Sequence, residues 1–250
     1  MLFTNGCILL ISLGCLLTLT KANDNVRQKR TVDLTEAMLS ASIRSGTSLS
    51  GTTVGDLKQS SYRVAVSGSV ENYSKWALLF KGCEIAAGQM NLPLRSVAAG
   101  QREGFASHKT AHAAKGSFVK CMLLVGDKLV HFMYSAPYSF DFHANYLAVG
   151  ICNKDMQSDT HGYPCRDLTA KIMYYYTPSF VSIRQFYRNI HTVKYCDEDL
   201  CISGVMGTSH QPEINLKVMP QKYEDLYNEV KDDSVKDHWG KDEYEKFVNS

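Results

Sequence analysis

The sequence predicts a mainly β protein: a β-sandwich with a helix before it, a helix-compatible run from Asp167, and an acidic, helix-compatible C-terminal tail. Three observations carry this. Short segments of alternating apolar and polar residues recur between turn clusters, as at Ile214, Leu216 and Val218. The dipeptide Gly126-Asp127 joins two such segments and is a strong hairpin signal. Helical spacing is confined to the two ends of the chain and to a short run from Asp167.

The chain has 250 residues, and its first thirty are expected to be removed. Ile8 to Leu19 is an uncharged apolar run, shorter than the roughly 20 residues of a membrane helix. Thr20, Lys21 and Ala22 end it like a signal-peptidase site, which places a signal peptide at 1–22. The polar stretch 23–30 closes on Lys29-Arg30 and reads as a propeptide with a dibasic processing site. The next segment, 31–58, opens with Asp33-Leu34-Thr35-Glu36, an acceptor followed three residues later by Glu, as in a capping box. Leu34, Ala37, Met38 and Ala41 then recur at helical spacing, predicting a helix from about Asp33 to Ser45. Gly46, Gly51 and Gly55 make the remainder a weak isolated helix.

Strands are expected at Tyr62 to Val70, Phe118 to Val125, Lys128 to Tyr134, Leu147 to Cys152, Cys201 to Met206 and Glu213 to Met219. They define a sandwich domain at 59–220. The tail, 221–250, spaces Tyr223, Leu226, Tyr227 and Val230 as on a surface helix. No internal repeat is present.

Charge separates these parts. The whole chain is formally +2. Loss of Lys21, Arg27, Lys29, Arg30 and Asp24 leaves 23 basic and 24 acidic residues. The tail holds 5 Lys and 9 acids, so the body from Thr31 to Pro220 is mildly basic at +3. This balance argues against nucleic-acid binding by bulk charge. The acidic tail is expected to shield a basic surface.

Six cysteines remain after the signal: Cys83, Cys121, Cys152, Cys165, Cys196 and Cys201. An even number in a secreted chain points to disulfides, with 15 conceivable pairings. Sequence separation favours Cys196 with Cys201 across a turn and Cys152 with Cys165 around a polar loop. Cys83 with Cys121 follows by elimination. Zinc is the alternative, but no Cys-x-x-Cys pair exists. Asn72-Tyr73-Ser74 is a glycosylation acceptor sequence.

The least ordinary stretch runs from Tyr134 to Tyr146. Tyr134, Tyr138, Phe140, Phe142 and Tyr146 give five aromatics in thirteen residues, against a chain average of 10%. Pro137 interrupts the strand, so much of it is loop. Loop aromatics suit a membrane interface, where a ring is half buried. They also suit a cage for a quaternary ammonium such as choline. The bland alternative is packing beneath a long loop. Tyr174, Tyr175 and Tyr176 form a second group, and three adjacent tyrosines cannot all face one core.

These residues carry a resemblance. Gly46-Thr47-Ser48-Leu49, Arg63-Val64-Ala65-Val66, Ser135-Ala136-Pro137-Tyr138 and Gly204-Val205-Met206 resemble motifs of the actinoporins, over about residues 31–220. The cysteines and the long tail look like the echotoxin and conoporin branch of that family. The resemblance implies a sandwich between two helices that binds sphingomyelin. It also implies oligomerisation and insertion of the N-terminal helix as a cation-selective pore. By position it implies a choline-headgroup site of Gly82, Ser117, Ser135, Pro137, Tyr138, His143, Tyr175 and Tyr176. Tyr134, Phe140, Phe142, Tyr146 and Tyr174 would face the membrane. Asp33, Leu34, Glu36, Met38, Ala41, Arg44 and Leu49 would belong to the pore segment. His143 stands where the family has a headgroup Tyr. Tyr187-Arg188-Asn189-Ile190 replaces its Arg-Gly-Asp.

Elementary dimensions agree with that expectation. No mature segment is apolar for about 20 residues, so no constitutive span is predicted. As one helix, 31–58 would reach about 42 Å, enough to cross a core of about 30 Å. Its polar face would need water, hence several copies around a lumen. Asp33 and Glu36 near the mouth would favour cations. The expected protein is secreted and then acts at a target-cell membrane. The alternative is a lectin-like or lipid-binding sandwich that never inserts. An enzyme is not expected: His108 and His112 lack the Glu of a metalloprotease motif, and no nucleophile turn or phosphate loop is present. No cofactor or metal is implied.

Overall fold

The computed structural model describes residues 61–236 and 240–249. The expected signal peptide, propeptide and segment 31–58, with the helix expected there, lie outside the described residues. No described helix is long and apolar enough to cross a membrane.

Eleven strands form two sheets. β1 (Ala65–Asn72), β3 (Gln89–Leu92), β4 (Arg102–His108), β9 (Val193–Cys196), β10 (Leu200–Met206) and β11 (Glu213–Pro220) make the first, in the order β3-β4-β1-β11-β10-β9. β2 (Leu79–Ala87), β5 (Ser117–Val125), β6 (Lys128–Ala136), β7 (Asn145–Asn153) and β8 (Val181–Phe186) make the second, in the order β2-β5-β6-β7-β8. All pairs are antiparallel except β1 with β11. The six expected strands are present. Gly126 takes a positive φ of 58° in the β5–β6 turn, as a two-residue hairpin requires. Strands β2, β3, β4, β8 and β9 were not expected; partly exposed β2, for example, reads LFKGCEIAA without clean alternation.

The core follows from side-chain alternation. Val119, Cys121 and Leu123 of β5, with Val130, Phe132 and Tyr134 of β6, face inward against Val66, Phe105, Ile202, Leu216 and Val218. The opposite face of β6 is also buried, which an isolated sandwich would not require. Leu129 and Met133 there pack beneath Cys165, Leu168, Met173 and Phe180. This third layer is a loop plus a short helix, α1 (Ala170–Tyr175). Thr169 caps α1 by accepting from the Ile172 N–H, and Glu84 accepts from the Ala170 N–H. The positive φ of Thr177 and then Pro178 end it.

The three disulfides are Cys83–Cys121, Cys152–Cys165 and Cys196–Cys201. The first and third join directly paired strand residues, and the second ties the outer loop to β7. Asn72 is fully buried and its side-chain N–H groups donate to the carbonyls of Trp76, Val97 and Ala98. A sugar on that nitrogen is incompatible with this fold.

The tail is not a detached appendage. It forms a 3₁₀ turn (Tyr223–Asp225), α2 (Asn228–Lys236) and α3 (Lys241–Val248). Leu226, Val230, Tyr244 and Val248 are each 1% exposed. The Tyr227 N–H donates to the Tyr73 carbonyl, the Tyr244 hydroxyl to the Pro220 carbonyl at 2.6 Å, and Lys194 to the Val248 carbonyl at 2.6 Å. Lys75 pairs with Asp225 at 2.7 Å. Gly100 permits this docking: a Cβ there would lie 2.2 Å from the Tyr227 ring. These contacts sit where β1 and β11 end and β10 begins.

Candidate functional site

The cavity of interest lies at the other end of the sandwich, where β5 begins and β6 ends. Its volume is about 520 Å³. Its floor is the paired Ser117–Ala136 and Phe118–Ser135 positions of β5 and β6. Pro137, Tyr138, Ser139, Phe142 and His143 form one wall, and Tyr174 and Tyr175 of α1 form another. Ala87, Ala114 and Lys115 complete the rim. Gly116 lets the chain pass close to the β6 terminus, since a Cβ there would lie 1.9 Å from the Ala136 carbonyl oxygen.

The loop is held from both sides. Ser139 donates to the Asp141 carboxylate at 2.7 Å, closing a local turn. Asn145 at the loop base donates to the carbonyls of Gly207 and Ser209 in the β10–β11 connection. Tyr174 is wedged edge-on among Phe118, Tyr146 and Tyr175, at centroid distances of 5.7, 4.9 and 4.8 Å. Burial, then the neighbouring Tyr146, pushes the Tyr174 hydroxyl up to about 12, so it stays protonated at neutral pH. The lining contains one cation, Lys115, and no carboxylate. Arg63 and Lys109 sit over the Tyr138 ring at 4.8 and 5.7 Å.

The outer loop is fixed to the segment that follows α1. Asp159 accepts from the backbone N–H groups of His161, Tyr163 and Ser179 and from the Ser179 hydroxyl. Its desolvation works the other way, yet those bonds hold its carboxyl down to about 2.

Of the residues expected at a headgroup site, Ser117, Ser135, Pro137, Tyr138, His143 and Tyr175 line the cavity. Phe142 and Tyr174, expected at a membrane interface, line it too. Phe142 is 84% exposed and Tyr175 69%. Tyr146 lies beneath Tyr174, and Phe140 stacks on His210 with centroids 4.3 Å apart.

Three placements differ from expectation. Gly82 sits at a register shift in β2 opposite Met122, away from the cavity lining; Ala87 is the β2 residue that reaches it. Tyr176 caps α1 beside Tyr163 and does not line the cavity. Tyr134 is no interface residue: it is fully buried on the inner face of β6, and its hydroxyl donates to Ser107. Strand alternation decides this, because Ser135 faces out and its neighbour must face in. Lys115 and Lys109 are not legible as site residues, since each comes from a connection with no motif of its own, and Arg63 is legible only as the start of a strand motif.

The fold and the cavity define a disulfide-bonded two-sheet sandwich with an aromatic pocket at one end. Tereporin-Ca1 of Terebra anilis is 30% identical over 189 residues, covering 72% of this chain and 97% of that protein. Echotoxin-2 of Monoplex parthenopeus is 28% identical, covering 68% of this chain and 62% of that one. Conoporin-Cn1 of Conus consors is 22% identical, covering 78% and 79%. The chain belongs to this actinoporin-like toxin family. No family model matches it. Among solved structures, the lipid binding protein Nakanori is similar at TM-score 0.49 and 14% identity, covering 81% of this chain and 84% of that one. The RahU protein is similar at TM-score 0.40 and 12% identity, covering 64% and 97%.

Proposed function

We propose that this protein is a secreted pore-forming cytolysin that recognises lipid headgroups in the aromatic cavity. The observation that carries the reading is the cavity's composition. A zwitterionic choline headgroup carries a phosphate and a quaternary ammonium. Lys115 and the hydroxyls of Ser135 and Tyr174 suit the phosphate. The rings of Tyr138, Phe142 and Tyr175 suit the ammonium, and no lining carboxylate competes for it. The names of the family members, toxin and porin alike, support a membrane-directed role. Three disulfides support folding in an oxidising compartment.

In this reading the exposed rings of Phe142 and Tyr175 enter the interfacial region while the cavity engages one headgroup. Copies then assemble on the target membrane, and residues 31–58 insert as amphipathic helices around a cation-permeable lumen. Sphingomyelin is the expected lipid through its choline head. The test is dye leakage from vesicles with and without sphingomyelin. The intact mature protein is expected to release dye. A variant lacking residues 31–45 is expected to bind the vesicles and release none. Absence of leakage across several lipid compositions would overturn the pore reading and leave a non-inserting lipid-binding module.

A further inference from the structure

A second surface at the same end is unaccounted for by the cavity. The six residues between β8 and β9, Tyr187 to Thr192, are all exposed. Among the described residues, the large exposed apolar side chains include Tyr187 at 47% and Ile190 at 64%. A six-residue connection that needed only to turn would gain nothing from an exposed isoleucine at its tip. This segment begins where β8 leaves the sheet, because its last residue, Phe186, pairs with Asn145 at the base of the aromatic loop.

The segment is continuous with the cavity rim. Phe140, two residues from Phe142, meets the Tyr187 ring edge-on at 6.3 Å and stacks on His210 at 4.3 Å. The charges are also of one sign. From Leu168 to Cys196 the chain holds no Asp or Glu, but has Lys171, Arg184, Arg188 and Lys194. Arg188 lies 5.6 Å from the Tyr187 ring centroid. The acids of the adjoining elements are Asp141, engaged by Ser139, and Glu213 at the start of β11.

We infer that the Tyr187–Ile190 segment is a second membrane anchor, whose partner is the headgroup–acyl boundary of a phospholipid bilayer. Ile190 enters the apolar boundary. The Tyr187 ring lies at the interface with its hydroxyl in water, and Arg188 reaches lipid phosphates. With Phe142 and Tyr175 it gives the protein two separated contacts, which fixes its tilt on the membrane as one contact cannot. This inference rests on the lipid-binding reading of the cavity but concerns residues outside it.

The test places tryptophan reporters in the mature protein by Ile190→Trp, Phe142→Trp and Leu79→Trp, with the emission of native Trp76 and Trp239 subtracted. Leu79 is 47% exposed on β2, opposite Leu124 near the far end of β5, and serves as the off-membrane control. The vesicles are phosphatidylcholine with sphingomyelin. The expected result is a blue shift, with quenching by brominated acyl chains, at 190 and 142 and not at 79. In parallel, the pair Tyr187→Ser and Ile190→Ser is expected to weaken vesicle binding about tenfold or more with an unchanged melting temperature. A shift at 142 without one at 190 overturns the second anchor and leaves the cavity reading standing. No shift at either position overturns both.

Discussion

The two ends of the sandwich treat their apolar surface in opposite ways. At the tail end Tyr73, Leu226, Val230, Tyr244 and Val248 are all sealed, and the polar groups between them are bonded across the contact. At the cavity end Phe142, Tyr175, Tyr187 and Ile190 stand in solvent. Burying a large apolar side chain stabilises by about 1.5–3 kcal/mol. The segment after Pro220 covers one end, and the open rings of the other are the surface that the lipid-binding proposal requires. Charge follows the same division. Asp197, Glu198 and Asp199 cluster around Lys128 beside the tail, whereas Arg63, Lys109, Lys115 and Arg188 attend the cavity end. The tail docks at the end opposite the aromatic cavity, where its Asp225 pairs with Lys75.

The strongest challenge to this division is removal of the tail after Pro220. The buried Leu226, Val230, Tyr244 and Val248 leave, at about 1.5–3 kcal/mol each, against a total domain stability of about 5–15 kcal/mol. The shortened protein is expected to lose its cooperative melt by circular dichroism. A melting temperature within a few degrees of the parent would make the tail an appendage after all.

Between the two ends, the outer layer carries an acid sensitivity. Burial, then Lys120, holds His131 down to about 3. The unfolded chain takes up this proton near pH 6.5, whereas the folded chain refuses it until about pH 3. Stability from this group is thus fully present above about pH 6.5 and falls by about 1.4 kcal/mol per unit between 6.5 and 3. Urea midpoints measured across that range should show the slope, and His131→Leu should flatten it.

The smallest stability effects separate the ends most cleanly. Tyr244→Phe, which removes one buried hydrogen bond at the tail, should cost about 1 kcal/mol and leave vesicle binding unchanged. Phe142→Ala with Tyr175→Ala should leave stability within about 0.5 kcal/mol per site and weaken vesicle binding about tenfold or more. Paired denaturation and sedimentation measurements check both. An inverted result would exchange the roles of the two ends.

Much of this is legible in the sequence. Period-two alternation locates the six strands whose inner faces build the core, and Gly126-Asp127 locates the hairpin that sets the register of Ser117 against Ala136. The aromatic excess from Tyr134 to Tyr146 marks the cavity wall. What is illegible requires long-range contacts. β2 and β8 alternate poorly because much of each is exposed or covered by the outer layer. The tail resembles a solvated helix because its acids dominate its composition, and only docking reveals that Leu226 and Tyr244 are core residues. Composition misplaces Tyr134 because it counts rings without assigning their face. Lys115 gives no signal at all, since its place beside the Ser135–Tyr138 motif is made by the pairing of β5 with β6.

Every step proposed for the protein requires the cavity end to face the membrane. Amide hydrogen exchange of the mature protein, with and without sphingomyelin-containing vesicles, tests this most directly. Added protection is expected across Ser135–His143 and Tyr187–His191, with exchange unchanged in the 3₁₀ turn and in α2 and α3. Protection of the tail helices with an unaltered aromatic loop would contradict it.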